Sequence, residues 1–164
     1  MNFKIEKDIN GNPYLVVNVN LTDSDCKGTK FTTLLSNFIF HSDNSGEKFH
    51  NLCVRNNGLF HITLLNVPEF SKFLISKRIG NIQIKNQDNI LTLLNKDLDD
   101  IEFKGIGSIS KDDLSTFFIV VNSQKLDAIR EKLALKPRDF HITIGFNKKD
   151  LFHDRKNKTN IFVV

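Results

Sequence analysis

Two tetrapeptides in the chain are identical, Phe60-His61-Ile62-Thr63 and Phe140-His141-Ile142-Thr143. Each lies in a run of β-forming residues, Leu59 to Leu65 and Phe140 to Phe146. Turn-formers precede both, Asn56-Asn57-Gly58 and Lys136-Pro137-Arg138. Side chains alternate across a strand, so in each copy the imidazole and the hydroxyl share one face while Phe and Ile take the other. The copies stand about half the chain length apart, which is the signature of one structural unit used twice.

Imidazole is the side chain whose ordinary pKa lets it give or take a proton near neutrality. Two of them on facing strands can divide general-base and general-acid work. Each threonine, two positions along on the same face, adds a short hydroxyl, stiff at χ1, that can donate to a phosphate oxygen. A phosphodiester matches this set. Its cleavage needs one proton removed from the nucleophile, one delivered to the leaving oxygen, and donors for the developing charge. Zinc is the competing reading, but two histidines with no Cys or carboxylate at ligand spacing leave such a site short, so neither metal nor cofactor is expected. No Ser-His-Asp or Cys-His signature is present, and His41, His50 and His153 read as surface or loop residues.

The elements that must position these pairs can be sketched from periodicity. After a turn at Asn10-Gly11-Asn12-Pro13, residues 14 to 21 alternate Leu15, Val17, Val19 and Leu21 against Tyr14, Val16, Asn18 and Asn20, a strand with one buried face. Residues 22 to 30 read as loop. Leu34, Leu35, Phe38 and Ile39 recur at helical spacing, so a helix is predicted from Phe31 to Phe40, ended by the segment His41 to Gly46. Val67-Pro68-Glu69 opens a short helix through Phe70, Phe73 and Leu74. Ile82 to Ile84 and Ile90 to Leu94 read as short strands around an Asn-Gln-Asp turn. Gly105-Ile106-Gly107 lies in a strand-like run from Ile101 to Ile109; it is no nucleotide-binding fingerprint and predicts a bent or bulged strand. Thr116 to Val121 should be a central strand, followed by a helix capped at Asn122-Ser123 with Leu126, Ile129, Leu133 and Leu135 along one side. Strand, helix and His-Thr strand thus occur in that order twice. A polar tail beyond Lys148 closes on Ile161 to Val164, an expected edge strand.

Composition sets the outer bounds. A chain of 164 residues, 40% hydrophobic and 26% charged, reads as one globular domain over 1–164. Fifteen Phe stand against one Tyr and no Trp, and about four in five of those Phe are expected in the core. The net charge of +4 leans towards an anionic partner without deciding for one. Cys26 and Cys53 lack CxxC spacing and read as two free thiols, and with no secretory signal the Asn20 and Asn157 sequons carry no weight. With no apolar leader or spanning run, a soluble, cytoplasmic protein without membrane attachment is expected.

The two His-x-Thr motifs, with their apolar flanks and half-chain separation, resemble the paired motifs of the two-histidine (2H) phosphoesterase superfamily. That superfamily includes RNA cyclic phosphodiesterases, RNA 2′,5′-ligase-like proteins and 2′,5′-phosphodiesterases. The resemblance implies a bilobal α+β fold, two antiparallel sheets with outer helices around a V-shaped cleft, related by a pseudo-two-fold axis. It implies metal-independent general acid/base catalysis by His61 and His141 with Thr63 and Thr143. The expected substrate is an RNA end, an oligonucleotide or a cyclic nucleotide, through 2′,3′-cyclic phosphate opening or 2′,5′-linkage cleavage, and the expected state is a monomer. Tyr14, Asn18 and Arg55 are candidates for substrate contact, with surface solvation as their plain alternative. The second functional reading is a non-catalytic RNA or cyclic-nucleotide binding module that retains the site geometry. A purely structural role would leave the two histidines far apart.

Overall fold

A computed structural model describes residues 1–20, 27–28, 30–76, 78–79, 82–83, 87–94, 98–152 and 156–163. The chain opens with a hairpin of β1 (Asn2–Lys7) and β2 (Pro13–Val19). Its turn is tied by the Asp8 carboxylate, which accepts from the backbone N–H of Asn10 and Asn12, and by Gly11 at φ +78°. The two-residue β3 (Lys27–Gly28), helices α1 (Phe31–His41) and α2 (Ser45–Asn56), and β4 (Phe60–Leu65) follow. Next come α3 (Val67–Ser76), β5 (Arg78–Ile79), β6 (Ile82–Gln83) and α4 (Gln87–Leu94). The second half runs through β7 (Glu102–Lys111), β8 (Leu114–Asn122), α5 (Gln124–Lys132) and β9 (Phe140–Phe146). A 3-10 turn at Lys158–Asn160 then leads into β10 (Ile161–Val163).

These elements build an α+β architecture on two main antiparallel sheets. The first has the order β1-β2-β4 and the second β10-β7-β8-β9, with β3 pairing β7 in parallel; β5 and β6 form a separate two-stranded ribbon. The strands carrying the two motifs pair with their neighbours in matching register. His61 lies opposite Asn18 and Thr63 opposite Val16; His141 lies opposite Val120 and Thr143 opposite Phe118. In both pairs the register then slips by one residue, past Leu64 in β4 and past Ile144 in β9. Such bulges bend a strand and re-aim its side chains. β4 and β9, from different sheets, lie alongside one another, and α2 packs on β9. Gly145 is what lets the helices approach: a Cβ there would stand 2.8 Å from the Phe38 ring and 3.2 Å from the Lys48 backbone.

The core draws on both sheets and on all five helices, α2 contributing Leu52. Eight Phe are buried and four more pack against them, leaving Phe40, Phe152 and Phe162 exposed. Ser123 caps α5, its Oγ accepting from the Leu126 N–H at 3.1 Å. The bulge expected around Gly105 is present, β8 is central in its sheet, and β10 pairs with β7 at an edge.

Several expectations are corrected. Residues 90 to 94, expected as a strand, belong to α4, because Ile90 and Leu94 stand one helical turn apart and bury the same side while Thr92 is exposed. Val16, assigned to the open face of β2, is fully buried. The charged segment Asn2–Lys7 is a strand, since Phe3 and Ile5 alternate with Lys4 and Glu6 against β2. Helix α2 was not foreseen. Its composition is polar, and tertiary bonds hold it: the Asn51 amide donates to the carbonyls of Phe146, at 3.1 Å, and Asn147 at the end of β9. The tail beyond Lys148 is not simply solvated, because Asp150, Leu151 and Lys156 are buried. Cys26, Leu21, Ile84, His153 and Val164, and most of the expected loop at 22–30, lie outside the described residues.

Candidate active site

β4 and β9 bring His61, Thr63, His141 and Thr143 to one small pocket, completed by Arg55 and Asn56 from the end of α2. All four motif side chains are partly buried. The alternation that puts Ile62 and Ile142 wholly in the core is what leaves each imidazole and hydroxyl facing the opening. Each ring is held by an aromatic edge from the adjacent strand. Tyr14 meets His61 with centroids 5.8 Å apart, and Phe118 meets His141 at 5.9 Å.

The Nδ1 of His141 donates to the Asp139 carbonyl at 3.2 Å. A carbonyl only accepts, so this bond fixes the proton on Nδ1 and leaves Nε2 as the basic nitrogen of the neutral ring. Both histidines are pushed down to about 4. For His61 burial is the main cause, reinforced by the Arg55 charge and opposed by Glu6 and Asp150. For His141 it is burial again, reinforced by Lys156 and Arg138 and opposed by the Asp139 carbonyl and Asp150. Two neutral imidazoles therefore face the pocket at pH 7. An anion placed between them favours the charged form of either ring and raises its pKa, which is how one becomes a proton donor.

Beneath the pocket lies a charge cluster. Asp150, its side chain 2% exposed, accepts from Arg55 Nη1 at 2.8 Å and from Lys156 Nζ at 2.6 Å; the Lys156 side chain is 1% exposed. Burial alone would raise the Asp150 carboxyl, but the charges and hydrogen bonds of Lys156 and Arg55 outweigh it and hold the group below its ordinary value. Thr143 Oγ1 donates to the same carboxylate at 3.3 Å, and Arg55 Nε donates to the Asn56 side chain at 2.8 Å. Asp150 thus fixes two of the pocket-lining groups from below. Among the described residues no cluster of three or more His, Cys, Asp or Glu is placed to hold a metal ion.

Of the residues singled out from sequence, Arg55 lines the pocket, Tyr14 contacts a pocket histidine and Asn18 stands opposite His61 in register without lining it. His41 and His50 are both exposed, and His50 lies in an adjacent groove. Asn56, Asp150 and Lys156 were missed. Asn56 neighbours Arg55 at a helix end, a local signal. Nothing local distinguishes Asp150 or Lys156 from the other charges of a lysine-rich tail.

Two antiparallel sheets thus each deliver a His-x-Thr pair to one pocket. A family model described as "Swiss Army Knife, 2H phosphoesterase domain" matches residues 27–152, and the chain belongs to the 2H phosphoesterase superfamily. Membership carries with it a phosphodiesterase type of function in general terms. No curated protein and no solved structure gives a significant match. Among the described residues no helix is long and apolar enough to cross a membrane.

Proposed function

We propose that the protein is a metal-independent phosphodiesterase acting on RNA ends or oligonucleotides, opening 2′,3′-cyclic phosphates or cleaving 2′,5′ linkages. The observation that carries this reading is that both histidines and both threonines line one pocket with Arg55. One imidazole takes the proton of the attacking oxygen and the other protonates the leaving oxygen as the P–O bond breaks. Arg55 and the Thr63 hydroxyl meet the non-bridging oxygens, where negative charge builds up, and the Thr143 hydroxyl joins them by turning its one proton from Asp150 to the phosphate. In this reading the whole chain is a single bilobal domain, acting as a monomer. Its sheets β1-β2-β4 and β7-β8-β9 form the two sides of a V-shaped cleft as pseudo-two-fold-related repeats. The matching registers and matching one-residue slips beside the two motifs support that relation.

The test is a panel of 2′,3′-cyclic, 2′,5′-linked and 3′,5′-cyclic substrates assayed in chelator, with His61→Ala and His141→Ala. Turnover of one of the first two classes that survives chelation and falls roughly 100- to 10,000-fold in each variant is the expected result. Turnover untouched by both variants would reject the reading. Nucleotide binding with no turnover on any substrate would leave a binding module instead.

A further inference from the structure

We infer that the groove beside the two-histidine pocket is a subsite for the nucleoside next to the scissile phosphate, with Phe152 as its base-stacking platform. The inference rests on the phosphodiesterase reading above and deepens it: the substrate is a single-stranded oligonucleotide of at least two residues rather than a lone cyclic mononucleotide.

Size argues first. The pocket between the histidines has a volume of about 20 Å³, room for one water-sized group, so it takes phosphate oxygens and little else. The adjoining groove has about 500 Å³, within the range of ligand sites. Arg55 is the wall common to both, so a chain whose phosphate meets Arg55 in the pocket has its next unit in the groove.

The lining argues next. Only three of the fifteen Phe are exposed, and of these Phe152 alone lines the groove, at 64% exposure. Its ring is backed by cations, Arg55 Cζ at 5.3 Å and Lys156 Nζ at 5.9 Å from the centroid; Arg55 in turn lies 4.7 Å from the Phe146 ring. An exposed ring anchored in this way accepts any base by stacking. Val54, 67% exposed, adds apolar surface from α2. The charges at the rim complement a phosphate backbone. Lys148 is engaged by Asp113, whereas Lys149 is exposed and pairs with no acid among the described residues, which leaves its ammonium for the following phosphate.

The test compares a dinucleotide ending in a 2′,3′-cyclic phosphate with a base-free five-membered cyclic phosphodiester. Phe152→Ala should lower the ratio of their kcat/KM values by roughly five- to a hundredfold, mainly through KM, and Phe152→Tyr should restore it. Lys149→Ala should weaken the dinucleotide alone and flatten its salt dependence. A ratio unchanged by Phe152→Ala, or an equal loss on both substrates, would overturn the subsite and reduce Phe152 to a support for Arg55. If the wild type turns over neither substrate, the catalytic reading fails separately. The subsite is then judged by anisotropy of a fluorescein-labelled single-stranded RNA: weakening by Phe152→Ala with rescue by Phe152→Tyr sustains it, and equal binding sinks it.

Discussion

Asp150 is the side chain whose loss should be felt most widely, because two cations and a pocket hydroxyl converge on it. Asp150→Asn strips the counter-charge from the buried Lys156 and should cost about 3 kcal/mol or more in urea unfolding. Lys156→Met should cost less, since Arg55 still faces the carboxylate. Equal losses in the two variants would show that the carboxylate is not the hub. The histidines predict an unusual pH profile. With both rings near 4, the singly protonated pair that acid/base catalysis needs is most abundant in the free protein near that pH. The optimum of kcat/KM should therefore lie well below neutrality. The optimum of kcat should lie higher, because the bound phosphate raises the rings it touches. Coincident optima near pH 7 would contradict the burial-driven shifts.

Helix α3 shows how the elements around the motif strands are tied together. Asn66 and Glu69 cap its start reciprocally: each backbone N–H donates to the other's side chain at 3.0 Å. Glu69 also accepts from Arg130 of α5 at 2.8 Å. Arg130, 2% exposed, donates further to the carbonyls of Leu64 at the end of β4 and Lys136 before β9. One guanidinium thus joins both motif strands to α3 and α5. Burial works to raise the Glu69 carboxyl, but the bonds from Arg130 and Asn66 and the Arg130 and Arg138 charges hold it below its ordinary range. Glu69→Ala leaves Arg130 buried without its anion and should destabilise by about 3 kcal/mol, whereas Asn66→Ala removes a cap and should cost about 1 kcal/mol. Thermal unfolding of the two variants checks the ranking. α4 and α2 carry a different lesson. A short run with four apolar residues in five, such as Ile90 to Leu94, suits helix or strand equally until its neighbours choose which side is buried. A mostly polar helix such as α2 is held by Leu52 in the core and by contacts 95 and 96 positions away, at Phe146 and Asn147.

For the folded molecule, the depressed histidines link stability to pH. Unfolded, each has a pKa near 6.5; folded, each is about 4. Between those values the unfolded chain binds more protons, so stability rises with pH by up to about 1.4 kcal/mol per unit for each ring. It is complete above about pH 6.5 and is lost on acidification towards pH 4. Asp150 and Glu69, both lowered, add a second loss at more acid pH, as they are protonated below the ordinary carboxyl range. Replacing both histidines by Gln should flatten denaturation midpoints between pH 4 and 6.5 while leaving the more acid loss in place. An unchanged slope in that window would place the linkage elsewhere.

The repeated His-x-Thr, its β context and its half-chain spacing are local facts, and alternation along a strand fixes which side chains share a face, so the motif strands and the pairing of each His with its Thr on one face were legible in the amino-acid order. Whether the two faces meet was not. That β4 and β9 come from separate sheets and lie side by side, that a polar helix brings Arg55 and Asn56 to the opening, and that Asp150 and Lys156 are buried beneath it all depend on long-range packing. The physical reason is the same in each case: a charge or a short apolar run carries no local preference strong enough to fix its partner, and the choice falls to whichever arrangement buries the core while leaving every buried charge paired.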